Sequence, residues 1–302
     1  MTDAEAARRR HMRGLLMLGV VVLCWGTCWP VNKALLAYMP PIWAVALRSV
    51  VSAMALFAIS GFITGLVRPT KADAPVLISM VLLHMVGFAI LTTLGLQVVQ
   101  AGRSTVLAYT SVLWAPIFAA LFLGERVSLR KASGLALGIF GLLVIFNPLT
   151  FNWNDRVAIA GNGLLLLGAV LWGVSIVHNR AHQWKASPFQ LAPWQALMAA
   201  VILSGIAIVI EGVPRIDWNP RSIGLLLFAG VPGTALAYWA VAVASSDLPA
   251  STTSVGLLGT PAVSVVVATI LLGEWPSIAL IVALLLILTG VAIGLSGRRS
   301  SS

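Results

Sequence analysis

Charge is what this sequence has least of. Asp, Glu, Lys and Arg make up only 9% of its 302 residues, against about a quarter in a soluble domain. That is too little to cover a water-facing surface, and a soluble globular protein is excluded. Acids are scarcest: all nine, from Asp3 to Glu274, lie at the ends of apolar runs or outside them. A mid-membrane carboxylate that would bind and release a proton or sodium ion is missing, which favours movement driven by a substrate gradient over coupled pumping. The two cysteines, Cys24 and Cys28, are four apart on one helix face, where a disulfide does not fit, and are read as small packing residues. No His-Glu-x-x-His helix, buried Asp pair or nucleophile elbow occurs. A Ser–His pair is the one enzymatic arrangement left open. No enzyme activity, metal or cofactor is expected. Basic patches are missing too: the net charge is +10, but it is scattered through short loops without interleaved aromatics, which argues against nucleic acid.

Apolar residues are what is there, at 59% of the chain, in runs of spanning length. Ten runs fit: 14–36, 41–66, 75–99, 102–124, 129–147, 158–181, 188–211, 222–244, 250–273 and 277–296. Backbone groups in lipid must be satisfied within their own segment, so these are expected to be helices. Pro40-Pro41, Pro69, Pro148, Pro188 and Pro220 punctuate the turns. The first run is too long, and lacks a small-residue cleavage site, for a removable signal peptide. With the amino terminus inside, thirteen Lys and Arg fall on the inner side (among them Arg8, Arg9, Arg10, Arg13, Arg68, Arg126, Arg180, Arg298 and Arg299) and four on the outer (Arg103, Arg156, Arg215, Arg221). The positive-inside rule then places both termini in the cytoplasm, in a bacterial inner membrane.

The chain repeats itself. Trp25-Gly26, Asn32 and Lys33 return as Trp172-Gly173, Asn179 and Arg180 at a spacing of 147, as Pro41 and Arg48 return as Pro188 and Gln195. Gly124-Glu125 returns as Gly273-Glu274 and Gly141 as Gly290, at 149. Five helices per copy force the second copy to enter the membrane upside down. The expected architecture is an all-α integral membrane protein of ten transmembrane helices in two inverted five-helix repeats, 14–147 and 158–296. An outer connection (148–157) joins them and tails (1–13 and 297–302) flank them. Inverted repeats of this kind enclose a site between them near mid-membrane.

Ten spans, Trp-Gly followed by Asn in the first helix of each half, and Leu-Gly-Glu ending the fourth and ninth together resemble the drug/metabolite transporter superfamily, in its branch of paired five-helix repeats. The sequence is most similar to the bacterial exporters of aromatic amino acids. The resemblance spans about 14–296 and implies a transporter of small molecules. Two features depart from the pattern. Pro261 lies thirteen residues before Glu274, but Val112 holds that place before Glu125 and Pro116 follows one turn later; this implies a displaced kink in the fourth helix. The Glu that small multidrug exporters carry in their first helix is absent.

His84, deep in the third span, either serves a polar cargo or is a neutral ring bonded to a neighbouring carbonyl. Arg48, two turns into the second, either clamps a carboxylate or snorkels; Gln195 is its counterpart. Trp25, Trp172, Tyr109, Trp114, Tyr238 and Trp239 lie too deep for an interfacial belt, and pack or line a cavity suited to a flat apolar molecule. Tyr109 and Trp114 are five apart, so at most one faces a lumen. Asn32 and Asn179 either contact cargo or bond between helices. Glu125 and Glu274 are gate or stabilising candidates, and Pro30, Pro116 and Pro261 are candidate hinges. Gly134-x-x-x-Gly138 and Gly290-x-x-x-Gly294 mark close helix packing. The expected activity is export or facilitated diffusion of amphipathic metabolites, foremost aromatic and apolar amino acids, by alternating access. A broad drug or nucleoside exporter is the alternative. The lipid bilayer is the one other expected partner.

Overall fold

The computed structural model describes residues 3–63, 65–125, 128–147 and 152–295. Arg126, Pro148 and the tail with Arg298 and Arg299 lie outside them. The described residues form helices and turns, with no strand. The helices are α1 (Asp3–Leu35), α2 (Pro41–Ile63), α3 (Ala74–Val98), α4 (Ala101–Leu123), α5 (Leu129–Ile145), α6 (Arg156–Ala181), α7 (Pro188–Glu211), α8 (Pro220–Asp247), α9 (Ala250–Leu257 continued by Gly259–Leu272) and α10 (Ile278–Leu295). Eight are long and apolar enough to cross a membrane. α10 supplies a shorter apolar helix, and α5 has 17 residues. Large apolar side chains such as Phe62, Val209 and Ile270 stand exposed on the outside, where only lipid makes them inexpensive. This is a multi-pass membrane protein. α1 starts at Asp3, well before the apolar run, and its Arg13 bonds both carboxylate oxygens of Asp247 at the end of α8.

The punctuation acts through helix ends. Ser187 and Asn219 form capping boxes with Gln190 and Ser222, each with Pro in the first turn. Gly124 and Gly273 end α4 and α9 in the left-handed conformation, at φ 64° and 69°, which a residue with a Cβ resists. Each turns the next residue back, so that the N–H of Glu125 bonds Ala119 and that of Glu274 bonds Ala268. The Gly-Glu signature is thus a C-cap that aims a carboxylate.

Irregularities recur at matching places. α3 and α8 pass through π-helical turns at Val81–Phe88 and Val231–Leu236. α4 breaks at Thr110 and α9 at Leu258. The kink in α4 is therefore not displaced, contrary to what Pro116 suggested: the break precedes both prolines. Pro261 sits in the first turn of Gly259–Leu272, where a missing N–H loses no helical bond.

The two G-x-x-x-G helices pack on each other. A Cβ on Gly134 would collide with the Gly290 carbonyl, and one on Gly290 with that of Gly134. At the helix ends, Glu211 accepts from the backbone N–H groups of Ile42 and Trp43 at 2.9 and 3.0 Å, which fastens α7 to the start of α2. Asp73, fully buried before α3, accepts from Thr70 at 2.8 Å and from the Lys185 N–H, and meets His182 Nε2 at 3.1 Å.

Two measurements test this packing. Gly290→Leu should lower the stability of the solubilised protein by about 1–3 kcal/mol through overpacking, while Gly19→Ala, inside α1 with open space around it, should hold or slightly raise the melting temperature. The His182 hydrogen bond, with Thr70 and Lys185, holds the Asp73 carboxyl below its ordinary value. Its stabilisation is then present above the unfolded value near 4 and is lost as pH falls through the lower folded value. The melting-temperature gap between wild type and Asp73→Asn should therefore shrink as pH falls below about 4.

Candidate functional site

α1 and α6 present matching stripes to one cavity of about 320 Å³. Trp25, Cys28, Trp29 and Asn32 line it from α1; Trp172, Ser175, Ile176 and Asn179 line it from α6. Each set falls at i, i+3, i+4 and i+7, one face of a helix. What turns these faces inward is a close contact behind each. Gly26 presses on α9, where a Cβ would fall 2.6 Å from Val263 and 3.0 Å from the Thr260 carbonyl. Gly173 presses on α4, where a Cβ would fall 2.8 Å from Trp114 and 3.3 Å from the Ser111 carbonyl. The Trp-Gly pair thus has a division of labour: Gly admits the neighbouring backbone, and Trp is carried to the lumen side.

The remaining walls come from α2 with Arg48, Ser49 and Ser52, the π-turn of α3 with His84, Met85 and Phe88, Tyr109 on α4, Gln195 on α7, and Gly233, Thr234 and Tyr238 on α8. An aromatic cluster fills one side. His84 stacks on Trp172 at 5.2 Å and 10°, Phe88 lies 5.0 Å from Trp172, and Tyr109 meets Trp172 edge-on at 5.7 Å. Trp25 meets Tyr238 edge-on across from it.

Of the residues singled out in the sequence, Trp25, Asn32, Arg48, His84, Tyr109, Trp172, Asn179, Gln195 and Tyr238 meet here, while Trp114 and Trp239 do not. Trp114 is spent on the α4–α6 contact, which leaves Tyr109 as the member of that pair on the lumen. Neither Asn bonds between spans: Asn32 donates to Cys28 Sγ one turn back, and Asn179 Oδ1 accepts from Trp184 Nε1 at 2.9 Å in the following loop. His84 has no hydrogen bond to another group among the described residues. Sequence reasoning missed Cys28, Trp29, Ser175 and Phe88. The first three follow from extending the stripe from Trp25 and Trp172; Phe88 depends on the π-turn, which its apolar surroundings do not announce.

The EamA-like transporter family matches residues 12–147 and 159–295. The chain belongs to this family. It is 29% identical over 278 residues to an uncharacterized transporter, YoaV, of Bacillus subtilis, covering 91% of this chain and 95% of that one. It is also 29% identical over 308 residues to a probable amino-acid metabolite efflux pump of Escherichia coli, covering 95% of each. A crystal structure at 20% identity superposes with a TM-score of 0.67 over 96% of this chain and all of the other, and so shares the fold. An EamA-like chain is a transporter rather than an enzyme.

In this EamA-like chain two ion pairs join the repeated signatures. Lys33 Nζ lies 2.9 Å from Glu274 Oε1 and donates to the Val99 carbonyl, while Glu274 Oε2 accepts from the Ala101 N–H at 2.6 Å. Arg180 lies 2.9 Å from Glu125 Oε1. Ala101 begins α4 and Glu125 follows its end, so the two pairs are roughly 35 Å apart at opposite ends of one helix. They are unequal: the Lys33–Glu274 side chains are 22% and 14% exposed, the Arg180–Glu125 side chains 46% and 34%. Pro30 and Pro116 lie inside α1 and α4. Glu274→Gln should cost about 1–3 kcal/mol of stability, since it leaves a half-buried Lys uncompensated. Glu125→Gln should cost under about 1 kcal/mol, the usual worth of an exposed pair. Equal losses in thermal melts of the two variants would contradict the asymmetry.

Proposed function

We propose that the chain carries amphipathic metabolites, foremost aromatic and other apolar amino acids, out of the cell by alternating access through this cavity. The observation that carries the reading is the wall itself: Trp25, Trp29, Phe88, Tyr109, Trp172 and Tyr238 surround a space with a few polar groups, the lining expected for a flat apolar cargo. The E. coli relative's name as a probable amino-acid metabolite efflux pump lends support.

The transport cycle is read as two oppositely inserted five-helix units, ten spans in all, with α5 and α10 as the last span of each. The paired contacts of Gly26 and Gly173 and the opposed positions of Glu125 and Glu274 support it. On this reading both termini are cytoplasmic in a bacterial inner membrane. The Lys33–Glu274 pair seals the outer end and the Arg180–Glu125 pair the inner, while the helix breaks at Thr110 and Leu258, ahead of Pro116 and Pro261, and the helix around Pro30 give way as they exchange. No acid lines the cavity, in keeping with transport down the cargo's own gradient.

Counterflow of radiolabelled phenylalanine into preloaded proteoliposomes tests the proposal. Exchange is expected in the wild type, without a pH gradient. Trp172→Ala and His84→Ala should each reduce it about ten-fold, a contact worth about 1.4 kcal/mol, with the protein still folded in the membrane. Unaltered kinetics in both would remove them from the site. Exchange of nucleosides or cationic drugs in place of amino acids would transfer the cavity to another cargo.

A further inference from the structure

The charge content of the cavity is one-sided. Arg48 contributes a guanidinium to the lining, and no Asp or Glu does. Among the described residues no carboxylate or carbonyl pairs with it; Cys28, His84 and Tyr238 share the lining with it. Gln195, the residue at the matching place on α7, is 4% exposed and lines the same space, and its Nε2 is buried with no hydrogen-bond partner. Other cations of the helices differ: Arg13, Lys33 and Arg180 have carboxylate partners, and Arg103 donates to Asn162 Oδ1 and the Ile145 carbonyl. A half-buried cation and a buried amide donor, neither with an acceptor, are costly as they stand. They become favourable when a ligand brings an anionic group with several lone pairs.

An ammonium group finds much less. The Ser49, Ser52 and Thr234 hydroxyls give their hydrogens to backbone carbonyls, and Asn179 Oδ1 is occupied by Trp184. Asn32 Oδ1, Gln195 Oε1, a His84 ring nitrogen, leftover hydroxyl lone pairs and aromatic faces remain, neutral acceptors all, within a site whose full charge repels a second cation. We propose that the cavity selects its cargo by net charge: an aromatic or apolar metabolite with a carboxylate and no ammonium group, such as a 2-oxo acid or an N-acylated amino acid, is preferred to the zwitterionic amino acid with the same ring. Arg48 and Gln195 Nε2 receive the carboxylate, and the His84–Trp172 side receives the ring. This rests on the cavity being the transport site, and it narrows the cargo from apolar amino acids to their anionic relatives.

Three probes on one skeleton test it: 3-phenylpropionate, phenylalanine and 2-phenylethylamine carry the carboxylate alone, both groups, or the ammonium alone. Binding to the purified full chain is measured by calorimetry, with thermal melts as a folding control. The wild type should bind 3-phenylpropionate about ten-fold or more tighter than phenylalanine, and 2-phenylethylamine weakest, as the repulsion of like charges in a partly desolvated site requires. Arg48→Gln should level the three affinities, and Arg48→Lys should preserve their order. Phenylalanine binding the wild type as tightly as 3-phenylpropionate overturns the inference and leaves the aromatic cavity standing. An order unchanged in folded Arg48→Gln overturns the assignment to Arg48. If Arg48→Gln does not fold, the wild-type order and Arg48→Lys decide. Failure of all three probes to bind folded wild type removes the aromatic-cargo reading and this inference with it.

Discussion

Gly26 and Gly173 are the points where α1 and α6 press directly on α9 and α4, and the geometry of the cavity depends on those two contacts. A side chain at either place would meet Val263 and the Thr260 carbonyl, or Trp114 and the Ser111 carbonyl. Because a helix has a fixed period, settling which face touches the neighbour also settles which face turns to the lumen. The stripes from Trp25 to Asn32 and from Trp172 to Asn179 are the consequence. Small residues serve helix packing in lipid because no hydrophobic force drives helix onto helix there, so close van der Waals contact decides association. The mutual contact of Gly134 and Gly290 applies the same rule away from the cavity.

Polar groups divide according to what they do. At the helix ends they are satisfied: Glu211 caps α2, Asp73 gathers three partners, Asp247 holds Arg13, and Glu274 is shared by Lys33 and the Ala101 N–H. Around the cavity some are not, as Arg48, His84 and the Gln195 amide show, while Ser49, Ser52 and Thr234 bond their own helix. A low-dielectric interior magnifies both conditions, making paired groups rigid and unpaired ones receptive. The two irregular π-turns reach the same space, and such turns are places where a helix gives up regular bonding for a site.

The membrane class, the helical runs and the recurrence of Trp-Gly and Gly-Glu were legible because each rests on local chemistry: hydropathy over a span, the φ of a C-cap glycine, the period of a helix. Much of the cavity wall was legible for the same reason, since Trp25, Arg48, His84, Trp172 and Tyr238 stand out as polar or aromatic groups inside apolar runs. Trp114 looked equivalent to Tyr109 by depth and composition. Only the packing of α4 on α6 showed that its face is taken. Phe88 was passed over because an apolar residue in a span carries no mark of which side it faces, and Cys28, read as packing, lines the cavity because it lies on the Trp25 stripe.

By itself, the sequence determined that the chain is a helical membrane protein in which Trp-Gly and Gly-Glu each occur twice, because those properties follow from composition, run length and residue spacing along the chain. The tertiary structure alone decided that Lys33 meets Glu274 and Arg180 meets Glu125, that the G-x-x-x-G helices meet each other, and that Arg48 is left without a carboxylate. Each of these depends on groups from distant segments arriving within a few ångströms of one another, and spacing along a chain does not specify which faces of rigid helices come together in space.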